Sequence, residues 1–144
     1  MSPARLRTTC ETAPVFRRDH HGEDVAERID HLMAGVFVPD DGDRIARLGE
    51  HVASDFVYVG PEGVYDGALG LSDAFAAYRR AGHVTTLRRT SPVEVHHCYF
   101  RFSWQRVEDG VSAMEGWAFG SLDEQGDIQR VVVFEGLTPG RGPR

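Results

Sequence analysis

The sequence predicts a single α+β domain in which helices come first and an antiparallel sheet follows. Apolar residues recur at helical spacing early in the chain, whereas the later part alternates in polarity or is rich in β-branched residues. Helices followed by a late run of strands with short turns favour a sheet covered by helices on one side. The chain has 144 residues, which is close to the usual size of one domain.

Three helices are predicted. The first ends before Pro39 and has one apolar face, formed by Val25, Ile29, Leu32, Met33 and Val36. Asp43 is expected to cap the second helix and Ser72 the third, because short polar side chains accept hydrogen bonds from the first free amides of a helix. Gly82 follows the third helix, where a glycine often ends the last turn.

The strands are predicted from alternating or β-branched segments between turn residues. These segments are FVYV (56–59), VYDG (64–67), TTLRRT (85–90), VEVHHCYFRFSWQRV (93–107), VSAMEGWAFGSL (111–122) and IQRVVVFEG (128–136). Asp109-Gly110 is a strong signal for a two-residue hairpin turn. The predicted order is therefore helix, helix, strand, strand, helix and four strands.

Composition limits the partners and the location. We expect a tail over 1–21, the domain over 22–138 and a second tail over 139–144. The net charge of −6 and the lack of a basic stripe argue against nucleic acid. No apolar run reaches the length of about 20 residues that spans a membrane. No secretory signal is recognisable, so we expect a cytoplasmic protein in which Cys10 and Cys98 are free thiols.

The sequence contains no lysine. Imine catalysis and the attachment of pyridoxal phosphate both need a lysine amine, so both are excluded. No phosphate-binding loop, nucleophile elbow or metal-ligand spacing is present either. The sequence therefore predicts no cofactor and no metal.

A two-residue turn at Asp109-Gly110 places Phe102 opposite Trp117 and Phe100 opposite Phe119. One sheet face would then be aromatic, and it is the expected surface for a homodimer, formed by Phe100, Phe102, Trp104, Trp117 and Phe119. The other face would carry polar residues opposite small ones. A shift of one residue would exchange the two faces.

The order and spacing of these elements resemble the nuclear transport factor 2-like superfamily, which includes SnoaL-like polyketide cyclases and ketosteroid isomerases. The resemblance covers residues 23–138. It is carried by LMA (32–34), GDRIARLGEHVASDFVYVGPEGVYDG (42–67), SDAFAAYRRAG (72–82) and DEQGDIQRVVVFEG (123–136). It implies a curved sheet that forms a cone around a small-molecule pocket and is closed by about three helices.

The catalytic acids of two members of the superfamily are not matched. The three positions that resemble the catalytic positions of ketosteroid isomerases hold Gly60, Val36 and Ala118. The two aspartate positions of limonene-epoxide hydrolases correspond to Ser103 and Val133. Without those carboxylates, neither mechanism has its base.

The resemblance and the hairpin together predict which side chains line the pocket. The predicted polar lining residues are Tyr58, His97, Tyr99, Arg101, Ser103 and Glu135. The predicted apolar or small lining residues are Met114, Gly116, Ala118, Val131 and Val133.

Four of these residues are candidate catalytic groups. Glu135 could act as an acid or base, or form a structural ion pair with Arg101. His97 could move protons or simply form part of the wall. Tyr58 could donate a hydrogen bond to an oxyanion or only pack, and Arg101 could bind an anion.

The sequence thus predicts an enzyme of small-molecule metabolism that carries out an acid-base step without a cofactor. The expected reactions are cyclisation, isomerisation, hydration or dehydration of an apolar or polycyclic metabolite. The alternative is a small-ligand-binding or dimeric scaffold module of the same fold with no catalysis, which the missing acids favour.

Overall fold

The computed structural model of the protein describes residues 22–136. Both predicted tails and residues 137–138 lie outside these residues. The helices are α1 (Gly22–Gly35), α2 (Asp41–Gly49), α3 (Gly67–Ala74) and α4 (Ala76–Arg80). The strands are β1 (Val52–Gly60), β2 (Gly63–Asp66), β3 (Thr85–Arg89), β4 (Glu94–His96), β5 (Tyr99–Glu108), β6 (Val111–Leu122) and β7 (Ile128–Glu135).

The strands form one curved, open sheet in the order β2-β1-β7-β6-β5-β3, and β4 also pairs with β5. All pairs are antiparallel except β1 with β7. Apolar residues of α1, α2 and α3 pack against one face of this sheet and form the core. We call this the inner face and the opposite one the outer face. The predicted α+β class is confirmed.

The second and third helices begin earlier than predicted. The side chain of Asp40 caps α2 by accepting a hydrogen bond from the amide of Asp43 at 2.9 Å, so Asp43 lies inside the first turn. Ser72 lies inside α3 and is buried. Its hydroxyl is satisfied there, because it accepts a hydrogen bond from Nε of Arg44 at 2.7 Å. The spacing of residues alone does not show that Asp40 caps α2 in place of Asp43, or that the hydroxyl of Ser72 has a partner in another helix.

Arg44 is a buried link between the helices. Its guanidinium also donates hydrogen bonds to the carbonyl oxygen of Val38 and to the carboxylate of Asp41. A buried charge is tolerated only when it is paired and hydrogen-bonded, and Arg44 meets both conditions. This residue therefore holds α2 against α3 and the chain that leads into α2.

The hairpin between β5 and β6 begins as predicted and then changes register. Asp109 and Gly110 both have positive φ, and Glu108 lies opposite Val111, as a two-residue turn requires. A bulge then adds Ala113 to β6, so that Arg106 lies opposite Met114.

Beyond this bulge, Phe102 lies opposite Ala118 and Ser103 lies opposite Trp117. The predicted pairing of Phe102 with Trp117 is therefore wrong by one residue. Side chains alternate along a strand, so the shift moves every residue of β5 beyond the bulge to the face opposite the one predicted. Phe100, Phe102 and Trp104 are buried on the inner face, and the predicted aromatic dimer face does not exist in that form.

On the inner face, aromatic rings of β5 pack directly against glycines of β6. A Cβ atom on Gly116 would lie 2.6 Å from Cζ2 of Trp104 and would also collide with the carbonyl oxygen of Phe134. A Cβ atom on Gly120 would collide with the ring of Phe100. The sequence suggested that these small residues leave space for a ligand, but neighbouring rings fill that space.

The segment predicted as one strand from residue 93 to 107 is divided into β4 and β5. His97 adopts a positive φ of 57° in the turn between them, next to the buried Cys98. Cys98 is disulfide-bonded, which corrects the expectation of a free thiol there; the other cysteine, Cys10, lies outside the described residues. Disulfides persist in oxidising compartments, so this bond does not favour the predicted cytoplasmic location.

We predict that Gly116→Ala destabilises the protein by about 1–3 kcal/mol, because the added methyl group has no room between Trp104 and the backbone of β7. Urea denaturation followed by tryptophan fluorescence measures this change. Gly49→Ala is the matched control, since a Cβ atom at Gly49 meets nothing within 4 Å. A loss of stability no larger than that of the control would contradict the packing of Trp104 on Gly116.

Candidate functional site

A cavity of about 100 Å³ lies between the helices and the inner face of the sheet. Most of its wall is apolar. The apolar lining residues are Ile29, Leu32, Met33, Val36, Phe56, Leu71, Ala74, Phe75, Leu87, Phe102, Trp104, Ala118, Val131 and Val133. An apolar chamber with a few polar groups at one end is typical of a small-molecule site.

The polar lining residues gather at the open end of the cavity, which we call the mouth. Pro61, Glu62 and Glu135 are solvent-exposed members of the lining, whereas Phe56 and Ala118 at the other end are buried. The polar or charged groups of the mouth are those of Tyr58, Glu62, Tyr65, Tyr78, Arg106 and Glu135.

Tyr58 is the most strongly perturbed ionisable group of the mouth. Burial raises the pKa of its phenol well above the ordinary value of 10.0, and the neighbouring Tyr78, Glu135 and Glu62 raise it further. The hydroxyl therefore stays protonated at any physiological pH. It is a fixed hydrogen-bond donor at the edge of an apolar chamber, where such a bond is stronger than in water.

Arg106 joins the charged groups of the mouth. Its Nη1 donates to the hydroxyl of Tyr78 at 3.3 Å, and its guanidinium carbon lies 4.7 Å from the centre of the Tyr78 ring. Its Nε donates to Oε2 of Glu108 at 3.2 Å. Nη1 also lies 3.9 Å from Oε2 of Glu135, which is close enough for electrostatic attraction but not for a hydrogen bond.

Five of the predicted site residues line this cavity. Tyr58 projects from β1, Ala118 from β6, and Val131, Val133 and Glu135 from β7. Parallel pairing sets Tyr58 directly beside Val131, and antiparallel pairing sets Ala118 beside Val133. The side chain of Glu135 is 35% exposed at the mouth.

The other predicted residues lie elsewhere. Arg101 points from the outer face, where its Nε donates to Glu94 and its guanidinium lies 5.9 Å from the ring centre of Trp117. Tyr99 and Ser103 share that face because the bulge reversed the orientation of β5, and the hydroxyl of Ser103 bonds to Thr90. The placement predicted for these side chains is corrected accordingly.

Three further predicted residues also lie away from the cavity. His97 is exposed in the turn before β5, because its positive φ interrupts the alternation of the strand. Met114 packs on the inner face against the core, and Gly116 lies under the ring of Trp104; neither lines the cavity.

Sequence reasoning missed Arg106, Tyr78 and Glu62. An arginine partner for Glu135 was expected, but as Arg101 rather than Arg106. The one-residue bulge is the reason, since it turns Arg106 towards the cavity and Arg101 away from it. Nothing in the sequence pattern assigned a role at the cavity to Tyr78 or Glu62.

The comparisons with known proteins agree with this architecture. No family model matches the chain, and no curated protein matches it either. Among solved structures, a SnoaL-like family protein from Agrobacterium tumefaciens, named as an isomerase, is 23% identical with a TM-score of 0.70, covering 83% of this chain and 99% of that one. The chain has the nuclear transport factor 2-like fold.

Two further structures support the same fold. A Sinorhizobium meliloti protein named as a polyketide cyclase is 14% identical, has a TM-score of 0.59 and covers 79% of this chain and 99% of that chain. An NTF2-like protein from Cytophaga hutchinsonii is 13% identical, has a TM-score of 0.54 and covers 81% and 90%. Identities this low show the fold alone.

Tyr58 packs against Gly60, the position that resembles the place of the catalytic base in ketosteroid isomerases. A Cβ atom on Gly60 would lie 3.0 Å from the ring of Tyr58 and 3.3 Å from its hydroxyl oxygen. Tyr58 thus occupies the space that a larger side chain at residue 60 would need.

None of the four described helices has the length and hydrophobicity needed to cross a bilayer.

We predict that Tyr58 makes the stability of the protein fall at alkaline pH. Its phenol has a raised pKa in the folded state, so its contribution is complete below about pH 10, the ordinary value, and is lost as the pH rises above it. The free energy of unfolding should fall more steeply above pH 10 for the wild type than for Tyr58→Phe. Urea denaturation between pH 8 and 11, with Tyr99→Phe as control, measures the difference; equal slopes would contradict the burial of this phenol.

Proposed function

We propose that this NTF2-like protein is an enzyme that carries out an acid-base step on a small apolar molecule bound in the cavity. Glu135 is the general acid or base, and Tyr58 donates a hydrogen bond to the oxygen on which negative charge develops. Arg106 is added to these roles in place of Arg101, since it lies at the mouth beside Glu135. His97 is left out of the proposal because it lies in the turn before β5.

The main support for the proposal is that three kinds of chemical group line the same cavity mouth. A carboxylate, a guanidinium and a phenol that remains protonated all line the open end of an otherwise apolar chamber. Proton transfer needs a group that can accept or donate a proton and a second group that stabilises the charge formed. Glu135 and Tyr58 together supply both.

The size of the cavity defines the ligand further. About 100 Å³ is less than the 150 Å³ or so of an apolar protein cavity that holds benzene. Because the cavity is open, we propose that one ring fills the chamber and that the polar end of the ligand lies in the mouth. We therefore propose a single-ring or short apolar substrate in preference to a polycyclic one.

The alternative is a binding module with no catalysis. It is favoured by one observation: the three positions that resemble the catalytic positions of related isomerases hold Gly60, Val36 and Ala118, and all three contribute only apolar or backbone surface to the cavity. A binding module would retain ligands in the apolar chamber and leave their bonds unchanged.

We predict that the wild type accelerates the conversion of 3-cyclohexen-1-one to 2-cyclohexen-1-one. This one-ring probe reports an acid-base isomerisation, because a proton leaves one carbon and returns to another while the double bond moves into conjugation. Glu135→Gln should lower the rate by about a hundredfold, since the amide cannot accept the proton. Tyr58→Phe should lower it by a similar factor through loss of the hydrogen bond. Absorbance of the conjugated ketone measures the rate.

Glu124→Gln is the matched control, because Glu124 is an exposed carboxylate in the turn between β6 and β7. Its rate should equal that of the wild type. Binding of the product ketone, measured by ligand-observed NMR, should be retained in Glu135→Gln. Binding of the ketone without turnover by the wild type would support the non-catalytic alternative.

We also propose that the protein forms a homodimer through the outer face of the sheet. The supporting observation is a group of exposed aromatic side chains there: Phe119 is 41% and Phe134 55% exposed, and their ring centres lie 5.8 Å apart. Exposed apolar groups of this kind mark interaction surfaces. A twofold axis would place the same surface of two copies in contact, which is the usual symmetry of a dimer.

We predict that Phe119→Arg shifts the protein from dimer to monomer, because it places a charge in the middle of this apolar surface. Size-exclusion chromatography with light scattering measures the mass. Val84→Arg is the control, since Val84 is 73% exposed and lies before β3, away from the exposed aromatic pair. A monomeric wild type, or a dimer that persists in Phe119→Arg, would contradict the proposal.

A further inference from the structure

The charges at the cavity mouth do not balance. Glu108 and Glu135 lie beside Arg106, the arginine that lines the mouth, and Glu62 lines the mouth as well. Glu108 neutralises this arginine through a hydrogen bond of 3.2 Å, whereas Glu135 remains 3.9 Å away. Among residues 22–136 no arginine or histidine forms an ion pair with Glu62. Within residues 22–136, these three carboxylates therefore outnumber the guanidinium group at the entrance of the apolar chamber by two.

Aromatic rings lie beside these carboxylates. Tyr58 is central, with ring centres 6.2 Å from Tyr65 and 5.7 Å from Phe75, and Phe75 lies 5.8 Å from Tyr78. The face of an aromatic ring carries partial negative charge and attracts cations. Arg106 already uses one such face, since its guanidinium lies over Tyr78.

The field of the carboxylates reaches the phenols of the mouth. Burial is the main reason that the pKa values of Tyr58 and Tyr78 are raised. Glu62 and Glu135 raise both further, whereas Arg106 lowers the pKa of Tyr78. Both carboxylates therefore act on the same region of the cavity. A positive charge placed there would be stabilised by both, and a negative one would be repelled by both.

We infer that the cavity takes a ring-bearing amine, with its ring in the apolar chamber and its ammonium group at the mouth near Glu62 and Glu135. The inference rests on the proposed function, since it names the ligand class of the same cavity. An ammonium group at this place gains from two carboxylates and from the faces of the neighbouring rings. A ring-bearing carboxylate of the same size meets repulsion, and a neutral alcohol gains neither effect.

Three probes of equal ring size test this inference: benzylamine, benzyl alcohol and benzoate. Their dissociation constants for the wild type at about pH 7 and low ionic strength are measured by titration with ligand-observed NMR. Benzylamine should bind about three- to tenfold more tightly than benzyl alcohol, which corresponds to one cation–ring contact and one partly exposed ion pair. Benzoate should bind more weakly than either.

Glu62→Gln and Glu135→Gln should each reduce the preference for benzylamine over benzyl alcohol, because each removes one of the two carboxylates near the ammonium group. Glu124→Gln is the control, because it removes one negative charge far from the mouth and should leave the preference intact. Raising the salt concentration should weaken the binding of benzylamine alone.

The outcomes separate this inference from the proposed function. If benzyl alcohol binds as tightly as benzylamine, or benzoate binds best, the amine class is wrong while the cavity remains a ligand site. The amine class is also wrong if Glu62→Gln and Glu135→Gln change the preference for benzylamine over benzyl alcohol no more than Glu124→Gln does. If none of the three probes binds, both the amine class and the proposed ligand-binding function are overturned.

Discussion

The close packing of β5 rings against β6 glycines is the contact on which the cavity depends. Trp104 covers Gly116 and Phe100 covers Gly120, at distances that leave no room for a Cβ atom. These rings fill the part of the inner face where small residues would otherwise leave space. The cavity lies between α1, α3 and α4 on one side and the inner faces of β1, β3, β5, β6 and β7 on the other, and the ring of Trp104 forms part of its wall.

A single bulge residue determines which polar groups reach that cavity. Ala113 adds one residue to β6, and the hydrogen-bonded register of the whole hairpin beyond it follows. Arg106 consequently lies among Tyr78, Glu108 and Glu135, whereas Arg101 lies on the outer face. Because of this one bulge, the arginine at the mouth is Arg106 and not the predicted Arg101. The charged groups near Glu135 therefore differ from those that the sequence predicted.

The site itself combines strong burial with uneven charge. An apolar wall makes every polar interaction at the mouth stronger than it would be in water, and it keeps the phenol of Tyr58 protonated. The carboxylates of Glu62 and Glu135 lie at the exposed end of this wall and contribute negative charge to the mouth. For the ligand that we propose, the packed rings limit the size, and the carboxylates of the mouth favour a positive charge.

Local patterns predicted some features well. The helical spacing of Val25, Ile29 and Leu32, the Asp109-Gly110 turn and the alternation of β7 all predicted their elements, and the α+β class followed from their order. Placement of Tyr58 and Glu135 at one cavity needed the resemblance to a known fold, because β1 and β7 are distant in sequence and pair in parallel. The helix cap at Asp40 and the burial of Arg44 were not predicted from the sequence.

By itself the sequence determined the α+β class, most of the order of helices and strands, and the absence of lysine chemistry, because each depends on local periodicity or on composition. Only the tertiary structure decided the faces of β5, the place of Arg106 and the filling of the space above Gly116. The physical reason is that a strand has a side-chain period of two, so one inserted residue reverses every side chain beyond it. Whether such a residue bulges depends on how rings and glycines pack across strands, which the pattern along one strand does not contain.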